Sequence, residues 1–111
     1  MTPGEERRVQ IAGTAGVPKD AIGAMVNLTV VEPTGDGFAT LWPAGGRKPD
    51  TSNLNWAPGD IRPNAVVIGL GPDGALDLRV DMPFTPTAEA HVLVDVMGWL
   101  TEADTTSADN S

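Results

Sequence analysis

Apolar residues in this chain recur at every second position in short runs, and glycine or proline interrupts each run. A period of two is the signature of a strand with one buried face, and no segment carries a helical period of useful length. From Ile22 onward, Ala24, Val26, Leu28 and Val30 fall on one face, with Met25, Asn27, Thr29 and Val31 on the other. Phe38, Thr40 and Trp42 share a face opposite Ala39 and Leu41, and Leu54 and Trp56 are in phase. The nearly continuous apolar run Asn64 to Leu70 predicts a strand covered on both sides. Gly71-Pro72-Asp73-Gly74 predicts a hairpin turn into Leu76, Leu78 and Val80. Val92, Val94 and Val96 then face away from His91, Leu93, Asp95 and Met97.

The pattern predicts an all-β fold, an antiparallel two-sheet β-sandwich of about seven to eight strands, with jelly-roll and Ig-like topologies both open. Val26, Leu28, Val67, Leu78, Val92, Val94 and Val96 are the expected core. At 111 residues the chain has room for one such domain. Its 13 Gly and 10 Pro are spread between the apolar runs, as turns require, and form no low-complexity tract. The module is expected over residues 1–100. Residues 101–111, TEADTTSADNS, have no large apolar side chain and are expected to form an acidic, polar C-terminal tail.

Composition removes several functions. The chain has no cysteine, which excludes disulfides, thiolate metal sites and cysteine nucleophiles. Seven Lys and Arg against fifteen Asp and Glu give a net charge of −8, the wrong sign for nucleic acid. The opening MTPGEERRVQ has no apolar run, so neither a signal peptide nor membrane insertion is expected from it.

No catalytic, cofactor-binding or metal-ligating set emerges. His91 is the one histidine, and Ser52, Ser107 and Ser111 are the only serines, none within a nucleophile-elbow pattern. One His and no Cys rule out the common zinc sites, and no calcium-loop pattern of alternating acids occurs. Asp95, between Val94 and Val96, is expected to be a buried structural carboxylate paired with Arg79, Arg62 or loop N–H groups. Asn27, Asn53, Asn55 and Asn64 lie in or beside strands, where asparagine is disfavoured. With Trp42 and Trp56 they make two readings. Asparagines can brace loops while the tryptophans fill the core, or they can line a polar groove for sugar hydroxyls with a tryptophan stacked on the ring.

The stretches NLTV, TLWPAG, SNLN and the closing VDVMGW, in that order, resemble a β-sandwich accessory module of secreted and cell-wall-associated actinobacterial proteins. The resemblance runs from about Pro3 to Leu100. It implies a non-catalytic module for surface display, adhesion or assembly, with no enzymatic activity and no cofactor. Protein partners or self-association are expected, with cell-wall glycan as a further ligand. The location would be extracellular or at the cell surface. The alternative is a virion surface or decoration protein, from capsid or tail, of a phage infecting such bacteria. A weak glycan-binding module is the third reading. Family copies carry a further segment upstream, so one sheet edge or one end of the sandwich is expected to be uncovered, with residues Met1 to Gln10 at a contact with another chain.

Overall fold

The computed structural model describes residues 1–102; residues 103–111, most of the expected tail, lie outside the described residues. Seven strands form among them: β1 (Glu6–Gln10), β2 (Gly23–Val31), β3 (Gly37–Pro43), β4 (Leu54–Trp56), β5 (Ile61–Gly69), β6 (Ala75–Asp81) and β7 (His91–Leu100). They make a four-stranded sheet ordered β1-β6-β3-β4 and a three-stranded sheet ordered β5-β2-β7. Every pairing is antiparallel. The protein is therefore all-β, with the two-sheet sandwich arrangement its period-two pattern predicts.

The core lies between the two inner faces. Ala24, Val26, Leu28 and Val30 of β2 are fully buried, because β2 is the central strand of its sheet and is flanked on both sides. Leu76, Leu78 and Val80 of β6 and Ala39 and Leu41 of β3 meet them from the other sheet, with Leu54 and Trp56 of β4. Within the four-stranded sheet, Gly37 of β3 sits tightly between β6 and β4. A Cβ there would stand 2.4 Å from the Asp81 carbonyl oxygen and 2.9 Å from the Trp56 indole nitrogen. The indole needs that space to donate to the Gly35 carbonyl (3.1 Å).

Four sequence expectations change at the sheet edges. Val67 is 65% exposed, because β5 is an edge strand and its outward face meets no third layer. Only Val66, Ile68 and Leu70 of that run pack against the core, so the strand is covered on one face, not two. Val92, Val94 and Val96 face inward as expected but are half-buried, because β7 is the opposite edge. Asp95 is exposed on the outward face beside Asn27, its partner on β2, and needs neither Arg79 nor Arg62. Arg79 instead pairs with Asp81 and Glu6, both at 3.0 Å, and Arg62 with Asp60 at 3.1 Å.

The connections also differ from the hairpin expected at Gly71–Gly74. β5 and β6 lie in different sheets, so this turn is an arch across the sandwich. Gly74 closes it with an N–H to the Gly71 carbonyl (2.8 Å). Its own carbonyl accepts from the N–H groups of Ile11 (3.1 Å) and Ala12 (2.9 Å). Only β3 and β4 are neighbours both in sequence and in a sheet.

Candidate functional site

Asn53, Asn55 and Asn64 come together where β4, the edge of one sheet, faces β5, the edge of the other. With Ser52, Arg62 and Pro63 they line a polar groove of about 260 Å³. Asn53 precedes β4 and behaves as one more strand residue. Its N–H donates to the Ala39 carbonyl (2.8 Å), and its Oδ1 accepts from the Leu41 N–H (2.7 Å). From across the sandwich, Asn64 Nδ2 donates to the Asn53 carbonyl (2.5 Å) and Arg62 Nη1 to the Asn55 carbonyl (3.3 Å). Ser52 Oγ donates to Asn55 Oδ1 (2.8 Å). These bonds lace the two sheets together along one side, using asparagine's paired donor and acceptor where no ladder partner exists.

The remaining residues of the predicted set lie elsewhere. Asn27 sits in the middle of β2, on the outward face of the three-stranded sheet. Trp56 belongs to the core. Trp42 lies on the outward side of the four-stranded sheet, opposite Asp77, yet both tryptophans are only 4% exposed. Neither ring offers a face to a sugar. Beside Trp42, a hydrogen bond from Arg8 (2.9 Å) holds the Asp77 carboxyl below the usual carboxylate range, assisted by the Gly45 N–H.

The brace has a measurable consequence. Asn53→Ala removes the acceptor for a partly buried backbone N–H, and an orphaned donor costs about 1–3 kcal/mol. Urea unfolding should show a loss of that size, whereas Asn53→Asp, which keeps the acceptor, should retain more of the stability. Equal stability of wild type and Asn53→Ala would mean the brace carries no load.

Sequence reasoning missed a different surface. Met25, Ile61, Val67, Leu93 and Met97 project from the outward face of the three-stranded sheet, each between 43% and 69% exposed. Trp99 and Leu100, also about half exposed, join Met25 and Val67 around a shallow depression of about 200 Å³. Asp95 and His91 are the titratable side chains on this face. The signal was present in the sequence. The outward phase of these strands carries Met25, Val31, Ile61, Val67, Leu93 and Met97, and among the described residues no helix lies over it.

The opposite side of the sandwich from the asparagine brace is open. There β1 and β7, the other two sheet edges, are separated by a groove of about 490 Å³. No group of three or more His, Cys, Asp or Glu side chains is arranged to hold a metal among the described residues. Among the described residues, no helix is long and apolar enough to cross a membrane. Comparison with protein-family models, with curated proteins and with solved structures finds no match.

Proposed function

We propose that this protein is a non-catalytic β-sandwich module used for surface display, adhesion or assembly, and that it associates with copies of itself. The observation that carries this reading is the apolar outward face of the three-stranded sheet. Five of its side chains, with Leu100 at its end, each leave on the order of 100 Å² open, an area whose burial corresponds to about 1.5–3 kcal/mol. Together they exceed the few hundred Å² that monomers commonly expose and approach the roughly 800 Å² per partner of a stable interface. A second copy suits the face on grounds of charge. Repulsion between two chains of net charge −8 is weakest where each contributes a single carboxylate, Asp95.

The test is sedimentation or light scattering across a concentration series, with Val67→Lys/Leu93→Lys as the comparison. The wild type should dimerise, while the double variant should stay monomeric with its melting temperature nearly unchanged, since both positions are exposed. A wild type that remains monomeric at every concentration would overturn self-association through this face. Such pairing would serve an envelope protein and a virion decoration subunit alike. Neighbouring genes separate the two settings: a sortase or amidase for the first, a capsid or tail gene for the second.

A further inference from the structure

The open side of the sandwich supports a second inference, independent of self-association through the outward face. Where β4 and β5 meet, side chains lace the sheets together; where β1 and β7 should meet, the interior is exposed. The groove there is lined by Met1, Arg7, Val9, Leu78, Val92 and Val94, with His91 and Leu93 at its border. Arg7 is the telling residue. It pairs with Leu78 across the β1–β6 ladder, which puts it on the inner face of its sheet. Its guanidinium nevertheless stays solvated and bonds Glu5 at 2.6 Å. A charge at a core-facing position is tenable because no strand lies over it, and inward charges of this kind also discourage indiscriminate pairing at sheet edges.

Met1 defines how a strand would enter. Its amino group donates to the Ala90 carbonyl, and the Ala90 N–H donates back to the Met1 carbonyl (2.9 Å). This two-bond exchange is the hydrogen-bonded pair of an antiparallel ladder, formed on the free edge of the β7 segment. Alternation along the strand then turns the N–H and C=O groups of Val92, Val94 and Val96 to the same edge, where no strand among the described residues meets them. β5, the other edge of this sheet, is guarded by Pro63 within the strand. β7 is ten residues long and contains neither proline nor lysine.

We infer that the β1–β7 groove is a strand-acceptor site for an extended segment of a partner protein, which adds to β7 in antiparallel orientation and completes the sandwich on this side. The pairing begun at Met1 and Ala90 sets its register. Positions opposite Val92, Val94 and Val96 point inward and must be apolar, and those between them face outward. A volume of about 490 Å³ accommodates roughly three aliphatic side chains, taking the ~150 Å³ that admits one benzene as a guide. The lining includes Arg7 and His91 but no carboxylate, in a chain with fifteen acids against seven bases. The segment that fits is therefore apolar at alternate positions and acidic at its ends. Backbone hydrogen bonds supply affinity and the alternating side chains supply specificity.

The full chain itself provides the test. Residues added directly ahead of Met1 continue the ladder, the second, fourth and sixth lying opposite Val92, Val94 and Val96. One extended protein carries valine at those three positions and threonine at the three between; the other exchanges valine and threonine. Both have the same composition and differ by one residue in register. In dilute, monomeric samples, the in-register extension should raise the melting temperature by several degrees. It should also slow amide exchange of Val92, Val94 and Val96 at least tenfold, while the exchanged order does neither. A free peptide with the in-register sequence and a glutamate at each end should perturb the same three amides of the unextended protein. Equal effects of the two orders, no protection of these amides, or no perturbation by the peptide would each overturn the inference. So would protection of the unextended protein that grows with its own concentration, which would place a second copy in the groove.

Discussion

Leu28→Asp should leave no folded protein at room temperature. Leu28 is fully buried on the central strand of its sheet, at the centre of a core built by both inner faces. No cationic group lies in the buried cluster around it, which is apolar throughout. An uncompensated buried carboxylate costs several kcal/mol, and the lost packing of a core leucine costs about 2–5 kcal/mol more. Small domains have about 5–15 kcal/mol in all. Far-UV circular dichroism should show loss of the β spectrum, and a cooperative thermal transition should be absent. Val94→Asp tests the same chemistry at the open edge. Its side chain lines a solvent-accessible groove, so the carboxylate can stay hydrated and the variant should fold with a smaller loss. If Leu28→Asp folds, or if Val94→Asp is the more damaging of the two, the assignment of central and edge strands is wrong.

Gly74→Val should be nearly as severe, for reasons of backbone geometry. Gly74 has φ +79°, a region that costs an ordinary residue roughly 1–2 kcal/mol and a β-branched one more. A Cβ at this position would also stand 2.3 Å from the Ala12 Cβ. Relief requires the Gly71–Gly74 arch to move away from Ile11 and Ala12, which breaks the two hydrogen bonds to the Gly74 carbonyl. That arch joins the two sheets, so the disturbance is felt by both. Chemical denaturation should show a loss of several kcal/mol, with Gly74→Ala intermediate. A melting temperature within a degree or two of wild type would show that the arch adapts freely.

Both predictions rest on facts of different origin. That Leu28 faces inward is readable from the chain, because Ala24, Val26, Leu28 and Val30 share one phase of an alternating run. The same alternation puts Leu54 in phase with Trp56 and sets Leu76, Leu78 and Val80 against Asp77 and Arg79; all five are buried, and only the structure decides that Trp56 fills the core. The turn at Gly71–Gly74 was equally visible, but its partner was not. A short Gly-Pro-Asp-Gly link serves a hairpin within a sheet or an arch between sheets. The choice is made by contacts with Ile11 and Ala12, some sixty residues away. The candidate site divides the same way. Asparagines in and beside strands announced groups that need unusual hydrogen-bond partners, and Asn53 and Asn64 have them. Asn27 carries the same local signature but lies on another surface.

Alternation of side chains, an intrinsic property of an extended chain, thus determined the all-β class and, outside β5, the inner faces of the strands. Strand order was decided only in three dimensions, and order is what separates a central strand from an edge. Val26 and Val94 are alike in sequence context, yet β2 has neighbours on both sides and β7 on one. The solvated Arg7 on an inner face and the open β1–β7 groove follow from that difference, and the outward apolar face follows from the absence of a third layer among the described residues. Burial is a property of what lies alongside and above a strand, and local sequence carries no record of it.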